Sequence, residues 1–494
     1  MKALMSVQVK DQISEALKLH QSGKLADAES LYAEILLEHP ENTDALNLLG
    51  MLKIQTKQFK DAIFYIIKAT ELRPCAYYFE SLGRAYSGCE DFQNAIECYK
   101  KSLQFNPNDF DVLFNLASAY KMGKQFDLAI EVYQAALALK PNHPDVYFNL
   151  ANIYENKNDT DTALKYFQKA QEFGVKDDNL NYFLAVSYLK TKDFENGWNY
   201  YEDRPSKNFG ILTQSLQYKE LMESKPLWMG EDISGKTLFV YYEAGLGDSI
   251  MYARYIPLLR EKCAKVIFKP QSGLASLFRE SNLKSEIIDL PQADLDFDVH
   301  IPLMSVPYVL QLNLESEIPY ADKFLSANSE KVAEVKEKYF KNDKFKIGIK
   351  WLGNPAYDLQ RIIPIEKFYK LFDLPNTQFY SLQKDDGADE LKKLQDNFEI
   401  IDLGPSFNDF TDTSAAIENL DLVICNDTSV AHLVGGLGMP CWVLLPFVSN
   451  WRWHTDVSYS PWYKSIKLFK QDELDNWDGV FDEVYKELKL ILPI

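Results

Sequence analysis

The chain reads as a helical-repeat solenoid followed by an α/β region built in two halves. Three observations predict this. Pro40, Pro74, Pro107 and Pro141 recur about every 34 residues, each with an alanine twelve residues before it (Ala28, Ala62, Ala95, Ala129). Two later stretches, 237–242 and 346–351, read as buried strands that run straight into glycine-bearing loops. Asp421 to Leu445 spells a complete βαβ unit, with a turn placed where open α/β sheets bind ligands.

Within each repeat an aromatic or aliphatic residue follows the alanine by four: Tyr32, Ile66, Tyr99, Tyr133. Upstream stand Leu49-Gly50, Leu82-Gly83, Leu116-Ala117 and Leu150-Ala151, then Tyr86, Tyr120 and Tyr154. A fifth unit carries Ala163, Phe167 and Ala170 without the proline, and a degenerate sixth carries Leu184-Ala185, Tyr188, Gly197 and Tyr201. Small residues are needed where the two helices of a unit cross closely, and large ones fill the gaps between units. The pattern resembles the tetratricopeptide repeat, two antiparallel helices per unit, and spans residues 9–204. A polar linker is expected over 205–232.

The first α/β half is expected over 233–342. Its opening strand runs into Glu243-Ala244-Gly245-Leu246-Gly247-Asp248 and a helix. The spacing lacks the third glycine of the dinucleotide fingerprint, so a Rossmann cofactor is poorly supported. Further strands are expected at 266–269, 287–288 and 299–301. The second half, 343–472, restarts with KIGIKW and a Gly353-Asn354-Pro355 loop, and continues with strands at 379–382 and 399–402. The tail, 473–494, reads as one amphipathic helix. Two such halves in succession imply a cleft between two doubly wound domains, an architecture that suits a donor held by one half and an acceptor by the other.

The formal charge of −19 argues against binding nucleic acid or an anionic membrane, which needs clustered Lys and Arg. Six cysteines form no C-x-x-C pair and read as free thiols of a reducing compartment. The first twenty residues are too charged for a signal peptide, and no apolar run reaches membrane-spanning length. The expectation is a cytoplasmic protein with no membrane insertion.

In the βαβ unit, an apolar run from Leu422 to Cys425 leads into Asn426-Asp427-Thr428-Ser429, a row of helix N-cap residues. A helix N-terminus there presents unpaired N–H groups and a positive dipole end, suited to a phosphate or diphosphate. The same residues also fit a plainer reading, in which Asp427 and Ser429 cap the helix and His432 packs in the core.

Four stretches in this order, KTLFVYYEAGLGDSIMYARYIPLLRE, KIGIKWLGNP with Arg361 downstream, SLQ at 381–383, and NDTSVAHLVGGLGMPCWVLLP followed by NWRW, resemble a known group. It comprises bacterial tetratricopeptide proteins whose glycosyltransferase domain is related to the lipopolysaccharide heptosyltransferases (family 9, GT-B fold). The resemblance implies an α-helical solenoid followed by two Rossmann-like domains facing a cleft. It also implies a nucleotide-sugar as donor substrate and no resident cofactor. The layout is similar to that of bacterial protein O-glycosyltransferases, flagellin-modifying ones included, which implies a protein acceptor in the groove of the repeats.

Carried over by motif, the family's Gly-Asp at the first βα turn falls on Gly247-Asp248, with the aspartate as the base, and Gly245 and Gly247 are expected to approach the donor. The diphosphate-holding D-T-G-x-x-H turn falls on Asp427, Thr428, Ser429 and His432, with Ser429 in place of the family's glycine. Asn354 and Gln383 fall within the matching donor-side stretches. Transfer to a hydroxyl needs a base beside the acceptor and positive charge on the departing phosphate. Asp248 fits the first need and Glu243 is the alternative base; Lys350 and Arg361 fit the second, or are solvated surface charges.

Asp294, Asp296 and Asp298 form a D-x-D pattern, which reads as an exposed strand edge, and no metal is expected. Trp451 and Trp453, with Trp462 and Tyr463, fit either stacking on a base or sugar or burial in the core. Asn115 and Asn149 hold equivalent positions on the first helices of their repeats. They suit either an extended acceptor peptide or a bond to the neighbouring repeat. Two other functions stay open: a non-catalytic scaffold with a vestigial transferase domain, and a transferase acting on a glycan or lipid.

Overall fold

The computed structural model describes residues 2–205, 220, 222–289, 295–353, 359–384, 387–454 and 457–492, and the chain divides into two compact units, Met1–Lys176 and Asp177–Ile494. The first unit is five antiparallel helix pairs: α1 (Lys2–Gln21) and α2 (Leu25–Glu38), α3 (Thr43–Gln55) and α4 (Phe59–Leu72), α5 (Ala76–Gly88) and α6 (Phe92–Phe105), α7 (Phe110–Met122) and α8 (Phe126–Leu139), α9 (Pro144–Asn156) and α10 (Thr160–Glu172).

The repeat residues do what their sizes predict. A Cβ on Gly50 would lie 2.3 Å from Ile66 and one on Gly83 2.6 Å from Tyr99, so in these two pairs the helices cross where only glycine fits, while Ala117 and Ala151 fill the same position in the later pairs. Ala28, Ala62, Ala95, Ala129 and Ala163 are fully buried beside Tyr32, Ile66, Tyr99, Tyr133 and Phe167. The turn between the helices of each pair holds one residue in the left-handed region: Gly23, Lys57, Glu90, Lys124 and Asn158.

Lys192 continues that series into the second unit, between α11 (Leu180–Lys190) and α12 (Phe194–Tyr201). The sixth hairpin therefore keeps the repeat geometry. It packs, however, within the second unit, and the break between units falls at residue 176, not after 204. The reason is its aromatic face. Trp198 meets Trp451 and Tyr252 edge-on, Phe194 meets Trp462, and the Trp198 indole N–H donates to the Leu312 carbonyl at 2.8 Å.

Two parallel sheets follow. The first has the order β3-β2-β1-β4, from β1 (Ile233–Tyr241), β2 (Cys263–Lys269), β3 (Glu286–Ile287) and β4 (Val299–Pro302). Part of the expected linker belongs to it: Trp228 is buried and its N–H donates to the His300 carbonyl at 2.8 Å, extending the edge beyond β4. The rest of that linker largely lies outside the described residues.

The second sheet has the order β10-β9-β8-β5-β6-β7. Its strands are β5 (Phe345–Lys350), β6 (Thr377–Ser381), β7 (Ile400–Asp402), β8 (Leu422–Asn426), β9 (Cys441–Leu445) and β10 (Ile466–Lys470). In each sheet the order reverses beside its first strand, β1 or β5, and such switch points are where α/β sheets take ligands.

Helix α13 (Leu246–Ala253) follows β1, and α14 (Ser429–Leu437) follows β8. The tail helix α15 (Asp478–Ile491) buries Val480, Phe481, Val484 and Leu488 against Ile347, Ile349 and Ile424, so it completes the second half's core. Among the described residues, no helix is long and apolar enough to cross a membrane.

Candidate functional site

Helix α14 starts at the carboxyl end of β8, beside the end of β5, where Lys350 pairs in register with Cys425. Its N-cap is Thr428, in extended backbone, and the Thr428 side chain makes no capping bond. Asp427 does not cap either, because Arg361 takes it at 3.3 Å. The first N–H groups of α14 are therefore not held by the side chains expected to hold them, which leaves the end suited to an anion. Thr428 Oγ1 and the fully buried Asn426 Oδ1 have no hydrogen-bond partner among the described residues.

Neighbouring loops brace this end. Asn426 Nδ2 donates to the Arg361 carbonyl at 2.9 Å and so fixes the segment that carries the guanidinium. A Cβ on Gly353 would sit 3.2 Å from Thr428 Cγ2, which brings the loop after β5 against the helix start. Gln383, buried, accepts the Leu352 N–H at 3.2 Å through Oε1; it shapes that loop. Asn354 lies outside the described residues.

The turn after β1 meets α14 directly. A Cβ on Gly247 would lie 2.9 Å from His432 Cδ2 and 3.5 Å from Ser429 Cα, so glycine is required for the two helix starts to touch. Asp248 accepts the Gly245 N–H at 3.1 Å through one carboxylate oxygen and is ion-paired to Arg452 through the other. The cap reading of Asp248 holds through Gly245, and Arg452 occupies the oxygen that a base would use.

Arg452 stands between Trp451 and Trp453, and nothing in that local motif marks it as a partner of Asp248. It also donates to Asn450 Oδ1 at 2.8 Å, and its Nε has no partner among the described residues. Burial opposes its charge, but Asp248 together with Tyr201, Tyr252 and Tyr182 holds it firmly protonated. The sixth hairpin thereby brings Tyr182, on α11, and Tyr201, on α12, to the surroundings of this ion pair.

Several expectations are corrected. Glu243 is not available as a base: it is buried in a two-pronged pair with Arg204 at 2.6 and 3.0 Å and also accepts the Met304 N–H at 3.0 Å. His432 faces the core, bonded through Nδ1 to the Tyr463 hydroxyl at 3.0 Å and stacked on Trp453. Burial, then the charges of Arg452, Arg254 and Arg361, push its imidazole well below the usual histidine range, so it is neutral. Trp451, Trp453, Trp462 and Tyr463 are all buried, which removes them as stacking platforms for a base or sugar.

In the D-x-D stretch, Asp298 accepts the Thr237 N–H, midway along β1, at 2.7 Å, while Asp294 lies outside the described residues. In the repeat unit, Asn149 Oδ1 accepts from Lys121 Nζ of the preceding repeat at 2.5 Å, which is the neighbour-bonding role; Asn115 is half-buried on α7.

Family models described as tetratricopeptide or TPR repeats match residues 19–80, 83–123, 123–158 and 144–173. The chain is similar to Protein FlbA of Caulobacter vibrioides, 24% identical over 324 residues, covering 59% of this chain and 52% of that protein. It thus spans about half the length of the curated relative it matches. The matched share exceeds the whole repeat region, so the likeness reaches into the α/β part. Among solved structures, MamA is 28% identical over 32% of this chain and 93% of its own, with a TM-score of 0.31. PilF of Pseudomonas aeruginosa is 19% identical over 44% of this chain and 97% of its own, with a TM-score of 0.37. The chain carries tetratricopeptide repeats in its amino-terminal region, followed by two parallel-sheet α/β halves.

Proposed function

We propose that the protein is a GT-B glycosyltransferase that moves a sugar from a nucleotide-sugar to a hydroxyl of a protein acceptor engaged by the repeats. The observation that carries this reading is the meeting of two helix starts, each at a sheet's carboxyl end. One is the start of α14 with Arg361 beside it; the other is the Asp248 turn. The first suits a diphosphate, through N–H groups, dipole and guanidinium. The second supplies a carboxylate where a hydroxyl can approach.

In the reaction, the acceptor oxygen forms a bond to the sugar's anomeric carbon while the bond from that carbon to the diphosphate breaks. The electron pair leaves with the diphosphate, and Asp248 takes the hydroxyl proton. Arg361 and the α14 dipole stabilise the charge that builds on the leaving group. The repeats supply the kind of extended concave surface on which solenoids hold protein partners. Engagement of Asp248 by Arg452 favours the second reading, a binding scaffold without turnover.

A thermal-shift panel of nucleotides tests the donor site. A ligand at 100 times its dissociation constant adds about 2.7 kcal/mol of stability. Stabilisation by one nucleoside diphosphate and its sugar conjugates supports the proposal; the absence of any shift across the panel contradicts it. Release of diphosphate from the bound conjugate then separates enzyme from scaffold.

A further inference from the structure

As it stands, one carboxylate oxygen of Asp248 is held by Arg452 and the other by the Gly245 N–H, so neither is open to an acceptor hydroxyl. Arg452 is equally committed, yet its Nε points at no acceptor among the described residues. The pair lies beside the start of α14. Gly247, adjacent to Asp248, approaches Ser429 Cα within 3.5 Å of its Cβ position, and Trp453, adjacent to Arg452, stacks on His432 of the same helix. Arg361 pairs with Asp427, the residue before the Thr428 N-cap, so both guanidiniums belong to the surroundings of one helix start.

Resting on the donor reading above, we propose that Arg452 is a donor-sensing latch on Asp248. The donor's diphosphate, with two or more negative charges, outcompetes a single carboxylate for the guanidinium. Arg452 moves to the diphosphate, its unpartnered Nε gains an acceptor, and Asp248 keeps only the Gly245 N–H. The base is released when donor is present, so donor binding precedes deprotonation of the acceptor. Arg452 acts on the proton transfer through Asp248 and is a positioning residue for it.

The test is calorimetric titration of the full chain with UDP, GDP, ADP and CDP. In the wild type, binding has to break the Asp248–Arg452 pair. Asp248→Asn removes that cost while keeping an oxygen for Gly245. The preferred diphosphate should then bind tighter by about 5- to 150-fold, the usual range of coupling between two linked sites. Arg452→Gln should bind it more weakly, and adding Asp248→Asn to Arg452→Gln should bring no gain.

A purely structural pair lowers the melting temperature of Asp248→Asn without raising affinity, and that result overturns the latch. A gain of equal size in the Arg452→Gln background means plain repulsion between Asp248 and phosphate, and overturns it too. If the wild type binds none of the four diphosphates, the donor reading itself fails and the latch with it. Asp248→Ser, which also offers an oxygen to Gly245, is the second variant should Asp248→Asn not fold.

Discussion

Arg452 donates to Asp248 across 204 residues of sequence, tying the turn after β1 to the segment after β9. Two α/β halves that each carry part of the candidate site are joined at that site by one ion pair. The first prediction concerns its acidic member. Asp248→Asn should reduce turnover at saturating donor by roughly 10²- to 10⁴-fold, the loss expected for a removed general base. The measurement is kcat alongside diphosphate affinity; loss of affinity in step with kcat would make Asp248 structural.

Arg361→Ala should weaken nucleoside diphosphate binding by about 10-fold or more, through the lost charge-assisted contact. It also leaves Asp427, nearly buried, without its ion-pair partner, so affinity is to be compared at matched folded fraction. Unchanged affinity would assign Arg361 to the acceptor side or to holding Asp427 alone.

Glu243→Gln should act on stability. Neither side chain of the Arg204–Glu243 pair is exposed, and breaking such a pair by neutralising one partner costs about 3–5 kcal/mol. Chemical denaturation measures the loss. Turnover per folded molecule should stay within a few-fold of wild type, and a much larger fall would return Glu243 to the list of bases.

His432 gives stability a pH dependence. Its folded-state pKa is depressed, so below the unfolded value of about 6.5 the unfolded chain binds more protons at this position. Stability contributed there is complete above that value and is lost as pH falls, by at most about 1.4 kcal/mol per pH unit. His432→Gln, which does not titrate, should show a shallower loss between pH 7 and 5.5. Parallel curves for the two proteins would refute the assignment.

Much of this arrangement was legible in the chain. The 34-residue period located the repeats because close helix crossing demands Gly50 and Gly83, and burial demands Ala62 and Ala95. The two glycine turns and the cap-rich 426–429 segment marked both sides of the site, since backbone chemistry there is local. Partners remote in sequence were not legible. Glu243 looked available because Arg204, 39 residues earlier, falls in the degenerate repeat. Arg452 stood between tryptophans that drew the notice, and Asp248 sits in another half. The short β10, where Ile466, Leu468 and Phe469 are buried but Lys467 and Lys470 are not, lacked a continuous apolar run.

The most direct measurement incubates the purified chain with a panel of nucleotide-sugars and a candidate protein acceptor, and follows diphosphate release and acceptor mass. The account predicts that one donor class is consumed, that the acceptor gains one sugar mass per event, and that Asp248→Asn brings the rate to near background. Equal rates in wild type and Asp248→Asn, or no consumption of any donor that binds, would contradict it.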